Sequence, residues 1–164
     1  DFMDEMEARS SFPVLADFKE KRQITRFEFT RASASIVNQQ LKVKFSPDVY
    51  SNVELLFFPR DWSAFKSLNL TLYNASEGLS AIVCRIHDIK HEADGKMAFG
   101  DRYNQRFSLA NGENHLSIEL KEVAAAPNNR NMDMTAISAL ICFSDHVSEY
   151  KAVSYTHLTL PTMS

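Results

Sequence analysis

Residues 81–88 read Ala-Ile-Val-Cys-Arg-Ile-His-Asp, and this stretch decides the fold. With a period of two, Ile82, Cys84 and Ile86 fall on one face of a strand, and Ala81, Val83, Arg85 and His87 on the other. A second polar knot, Asp101-Arg102-Tyr103-Asn104, reads the same way: Tyr103, Phe107 and Leu109 form an apolar face, with Arg102, Asn104 and Arg106 opposite. Side by side in one sheet, the two strands place guanidinium, imidazole and amide groups in rows on a shared face, flanked by Asp88 and Asp101. Such a face can hydrogen-bond a polyhydroxylated ligand, Arg as a fixed fork of donors and Asn as a paired donor and acceptor. It can equally be a self-satisfied network in which Arg85 and Arg102 pair with Asp88 and Asp101 to pin the strands, since buried charges must be paired.

Outward from these strands, short apolar runs recur between turn signals. Phe27 and Phe29 alternate with Arg26 and Glu28; Leu41, Val43 and Phe45 alternate with Lys42 and Lys44. Ser46-Pro47-Asp48 then breaks the run, because proline cannot donate to a ladder and Ser and Asp favour turns. Residues 53–58 are almost continuously apolar, as in a strand covered on both faces, and Pro59-Arg60-Asp61-Trp62 ends them. Further strands are expected around Leu68 to Tyr73, Leu116 to Leu120 and Ile137 to Phe143, and a weaker one after Pro13. Residues 31–39 read as a Ser/Ala-rich connection, and 91–100, with Asp94-Gly95, as a hairpin loop. Lys121 to Ala126 allows one short helical turn before Pro127, and residues 1–12 read as a linker or loose helical turn. About nine short strands with almost no helix predict an all-β antiparallel β-sandwich or barrel.

The chain has 164 residues, enough for one domain with its own core, and a net charge of -3 with both signs interspersed. No basic run or Gly-Arg tract occurs, so nucleic acid is not an expected partner. No apolar run approaches the ~20 residues needed to span a bilayer, so direct membrane insertion is not expected either. The first residue is Asp, and the chain is read as a fragment of a larger protein. Twelve Phe and five Tyr against four Gly favour bulky strands over a helical bundle. Cys84 and Cys142, each inside an apolar run, read as buried small hydrophobes rather than as a disulfide.

In these motifs the chain resembles the galactose-binding-like jelly-roll domains of bacterial carbohydrate-binding modules. The resemblance is carried by Arg85 to Asp88, by Asp101 to Asn104, by the loop from Ala126-Pro127 through Arg130 to Met132-Asp133, and by Phe58 to Trp62. It covers roughly Val14 to Phe143 and implies a jelly-roll sandwich, a non-catalytic carbohydrate-binding role and an extracytoplasmic or membrane-anchored parent protein; fold-level analogy does not transfer a ligand. Val153 to Thr162, VSYTHLTLPT, looks like the in-frame translation of a sequencing adapter. The expected organisation is therefore a linker at 1–12, the domain at 13–152 and a non-native tail at 153–164. The native last strand of such domains is expected to be missing, leaving one sheet edge unpaired or covered by Val153, Tyr155 and Thr156.

The candidate ligand-binding residues are Arg85, His87, Asp88, Asp101, Arg102, Asn104 and Trp62. Trp62 is either a platform for a sugar ring or a cover for one end of the core. His87 and His91 have the spacing that aligns zinc ligands on a helix, but a strand followed by a loop does not reproduce that geometry, and no metal site is expected. Asp17 could ligate a structural calcium of the kind such jelly rolls carry, yet the strand expected to complete that site is absent. No nucleophile signature or phosphate-cradling loop occurs, and neither an enzyme nor a cofactor is expected. The competing reading is a structural or protein-interaction sandwich that packs against the rest of its parent and binds no sugar.

Overall fold

The computed structural model describes residues 2–145 and 147–161. Helix α1 (Phe2–Ser11) leads into β1 (Val14–Ala16), a 3-10 turn, β2 (Phe27–Thr30), β3 (Ala32–Val37), β4 (Gln40–Phe45) and β5 (Asn52–Leu55). The chain continues through β6 (Ser67–Asn74), β7 (Ala81–Asp88), α2 (Ile89–Ala93), β8 (Tyr103–Ser108) and β9 (Gly112–Glu119). It closes with α3 (Leu120–Ala125), β10 (Ile137–Ser144) and β11 (Lys151–Thr159). Two antiparallel sheets result, one ordered β3-β4-β11-β6-β9 with β1 also on β11, the other β2-β5-β10-β7-β8. This is the expected β-sandwich.

The period of two does most of the folding. Leu68, Leu70 and Leu72 of β6 and Ile82, Ile86 and Cys84 of β7 have no exposed surface and share one core with Leu41, Val43 and Phe45 of β4. Each such side chain contributes about 1.5–3 kcal/mol on burial. The opposite face of β4 carries exposed Lys42 and Lys44, so its alternation fixes which side meets the other sheet. Cys84 and Cys142 lie opposite each other on β7 and β10 as free, buried thiols, Sγ to Sγ 3.7 Å.

Several local readings are corrected. The Ser/Ala-rich connection is strand β3: Ala32, Ala34 and Ile36 turn inward while Ser33 and Ser35 are exposed, an alternation hidden by small side chains. It returns into β4 through Asn38 and Gln39, both at positive φ (51° and 59°), the geometry of a two-residue hairpin turn. The apolar run at 53–58 stops pairing at Leu55. The stretch after Asp88 forms α2 because the Asp88 side chain caps it, accepting from His91 N–H at 3.0 Å. Residues 2–11, read as a linker or loose turn, form a 10-residue helix with Asp4 and Ala8 buried; Thr25 Oγ1 donates to Asp4 Oδ1 at 2.6 Å.

Residues of the expected tail supply a strand. β11 lies inside its sheet, not at an edge, with β6 along one side and β4, then β1, along the other. Val153, Tyr155, Leu158 and Leu160 are buried in the core. Thr162 to Ser164 of the expected tail lie outside the described residues.

Candidate functional site

The outer face of the β2-β5-β10-β7-β8 sheet is built by register. Arg85 stands opposite Asn104 on β8 and Ile141 on β10, and Val83 opposite Arg106 and Phe143. Directly opposed residues point to the same side, so these side chains form adjacent rows on one surface. A cavity of about 530 Å³ opens over them. The 48–50 loop bounds one side and Phe99 and Arg102 the other. Tyr50 and Phe99 at its rim are 65% and 71% exposed, unusual for aromatic side chains.

Aromatic rings flank the guanidinium groups here. Arg85 Cζ lies 4.7 Å from the Phe143 ring centroid and Arg102 Cζ 5.5 Å from that of Phe99. Tyr50 meets Phe143 edge-on at 6.3 Å. Arg102 Nε donates to Asn104 Oδ1 at 3.1 Å and its Nη1 to the Met97 carbonyl at 3.2 Å, while Asn104 Nδ2 donates to the Phe99 carbonyl. Arg106 Nε donates to Asp145 Oδ2 at 2.6 Å. Burial pulls the Arg85 guanidinium pKa below its usual value, and the neighbouring Arg102 charge pulls it further.

Beside this face sits a partly buried clasp. Arg130 donates through Nη1 to Asp88 Oδ2 at 2.7 Å and through Nη2 to Asp88 Oδ1 at 2.9 Å. It also donates through Nε to Asp101 Oδ1 at 2.8 Å and through Nη2 to Asp101 Oδ2 at 3.1 Å. Asp88 is fully buried and accepts two further bonds from the N–H groups of Asp133 and His91. Burial by itself would raise its carboxyl, but the Arg130 and backbone donors outweigh it and hold the pKa at about 2. Arg130 thus joins the end of β7, the segment before β8 and the loop before β10.

His87 shares the face of Arg85 but is only 3% exposed. Its ring lies 4.6 Å from that of His91, and its Nε2 is 3.6 Å from Glu92 Oε2. Burial, then the adjacent His91, lower its pKa to about 4 against the opposing pull of Glu92. His91 is itself buried, with Nδ1 3.2 Å from Asp101 Oδ2.

Of the residues singled out in the sequence, Arg85, Arg102 and Asn104 therefore line the cavity together. Asp88 and Asp101 instead both accept from Arg130, and among the described residues neither pairs with Arg85 or Arg102. His87 is buried beneath α2. Trp62 is no platform: it has no exposed surface, packs on Phe58 at 5.5 Å and donates Nε1–H to the Pro59 carbonyl at 2.9 Å. Asp17, weighed as a calcium ligand, accepts from Gln23 Nε2 at 2.8 Å and from Lys19 N–H. Among the described residues, no cluster of three or more His, Cys, Asp or Glu side chains could hold a metal ion. Sequence reasoning missed Tyr50, Phe99 and Phe143, which come from a loop, a 3-10 turn and another strand and carry no shared local signal.

No protein-family model matches the chain, and no curated protein sequence does. Solved structures do. The agarase AgWH50C superposes with a TM-score of 0.72 at 16% identity over 92% of this chain, which spans 26% of that one. A family 11 carbohydrate-binding module from Clostridium thermocellum, in complex with a β-1,3-1,4-mixed-linked tetrasaccharide, gives 0.69 at 12% identity, covering 91% of this chain and 94% of the module. A family 29 carbohydrate-binding module gives 0.54 at 11% identity over 81% of this chain and 76% of its own. The chain thus spans about a quarter of the agarase and nearly all of the family 11 module. At these identities the likeness is one of fold, and that fold is the jelly-roll sandwich of carbohydrate-binding modules.

Proposed function

We propose that the chain is a non-catalytic carbohydrate-binding domain whose ligand lies across the outer face of the β2-β5-β10-β7-β8 sheet. One observation carries the reading: Arg85, Arg102 and Asn104 converge on a cavity of about 530 Å³ whose rim presents Tyr50 and Phe99 to solvent. Saccharide rings offer apolar faces to aromatic side chains and hydroxyl edges to planar donors, and this surface provides both. Asp88 and Asp101, two of the carboxylates beside the site, are engaged by Arg130, which favours binding over acid–base chemistry there. The fold shared with two carbohydrate-binding modules supports the same reading. We place the domain in a larger exported bacterial protein, as an appended module.

Glycan-array binding of the 164-residue chain, followed by titration calorimetry with any hit, tests the proposal. Binding that is lost in folded Tyr50→Ala and Phe99→Ala variants supports it. Absence of binding to any glycan, or binding untouched by both substitutions, leaves a structural or protein-interaction sandwich.

A further inference from the structure

The cavity face bears an unbalanced charge. Arg85, Arg102 and Arg106 all line it, yet among the described residues only Arg106 is in an ion pair, with Asp145 at 2.6 Å. Among the described residues, Arg85 and Arg102 have no carboxylate within ion-pair distance, and no hydrogen bond from the protein holds the Arg85 side chain, whose buried Nε is without a partner. Of the acidic groups nearby, Asp48 at the rim accepts from Ser46 Oγ at 2.7 Å, and Glu54 lies across Ile141 from Arg85. Glu54 is held above its usual carboxyl value, first by burial and then by Glu28 and Glu92, against the opposing pull of Arg60 and Arg85.

Two half-buried guanidinium groups without counter-ions are costly to the folded chain. Phe143 and Phe99 lie against the two guanidinium groups, and among the described residues nothing accepts from Arg85 Nη1 and Nη2 or from Arg102 Nη2, the N–H groups that would meet a carboxylate or sulfate. Asp88 and Asp101 are engaged by Arg130 and do not reach Arg85 or Arg102 as counter-ions.

Resting on the carbohydrate-binding reading, we infer that the ligand is an anionic saccharide, with a uronate carboxylate or sulfate ester seated between Arg85 and Arg102. A charge-assisted fork is roughly twice as strong as a neutral hydrogen bond, so the anionic group sets affinity while Tyr50 and Phe99 hold the ring.

Titration calorimetry of the whole chain against oligogalacturonate, a sulfated galactan oligosaccharide and a neutral cello-oligosaccharide of matched length tests the inference. At least one anionic ligand is expected to bind about tenfold or more tightly than the neutral one. Raised salt should narrow the difference, and a folded Arg85→Gln/Arg102→Gln variant should abolish it. The arm that binds distinguishes carboxylate from sulfate. Equal or tighter binding of the neutral ligand overturns the anionic inference and leaves the carbohydrate reading standing; binding of none of the three, with an empty glycan array, removes both. Anion binding that survives in the folded double variant also overturns it, by placing the anion elsewhere. Should the variant not fold, the comparison of ligands on the unmodified chain decides.

Discussion

Arg130 grips Asp88 with two hydrogen bonds, at 2.7 and 2.9 Å, although the two residues lie 42 positions apart and on different elements. Asp88 has no exposed surface with Arg130 in place, and its carboxylate would lose two charge-assisted bonds with the guanidinium. Arg130→Ala is therefore expected to cost about 3–5 kcal/mol, the range for stranding one partner of a buried ion pair. Urea unfolding measures it. A loss below about 1 kcal/mol would mean that Asp88 is solvated or protonated without cost.

Arg102 behaves differently. Its partners are Asn104 Oδ1 and the Met97 carbonyl, with no carboxylate among the described residues. Arg102→Ala is expected to change stability by about 0–1 kcal/mol and to abolish glycan binding. A melt beside a binding titration separates the two effects, and a strongly destabilised variant of a domain that binds no sugar sinks the assigned site.

Stability should fall on acidification in two stages. His87 has a folded pKa of about 4 against an ordinary 6.5, so the unfolded chain takes up its proton first. The fold loses roughly 3 kcal/mol as pH drops from about 6.5 to 4, and recovers it on the way back. Asp88, at about 2 against 3.8, adds a further loss of roughly 2 kcal/mol below pH 4. Unfolding at stepped pH reads both; His87→Gln should remove the upper stage only.

Trp62→Ala is expected to cost about 3–5 kcal/mol by opening a cavity at a fully buried position. Where the variant remains folded, ligand affinity should match the parent domain. A selective loss of affinity would return Trp62 to the binding surface.

Deleting residues 151–164 removes an interior strand and four buried side chains, Val153, Tyr155, Leu158 and Leu160. Facing edges on β4 and β6 are left unpaired. The deleted chain should lose its cooperative thermal transition, as followed by near-UV circular dichroism. A sharp transition close to that of the full chain would show that β11 can be spared.

The sequence by itself determined the sandwich and the faces of its strands. Alternation in 41–45, 68–72 and 82–86 is local, and burial of one face against another sheet enforces it whatever the topology. It also placed Arg85, Arg102 and Asn104 on one side. Small side chains hid β3, because Ala and Ser differ too little in hydrophobicity to display a period. Only the tertiary structure decided which arginine meets Asp88 and Asp101. Register brings Arg85 to Asn104, while the loop before β10 delivers Arg130 to the carboxylates, and ion pairing depends on distance in space rather than along the chain. Packing likewise settled Trp62: its size suits a platform or a core equally well, and the carbonyl of Pro59 within reach of its N–H let the whole ring be buried without an unsatisfied donor.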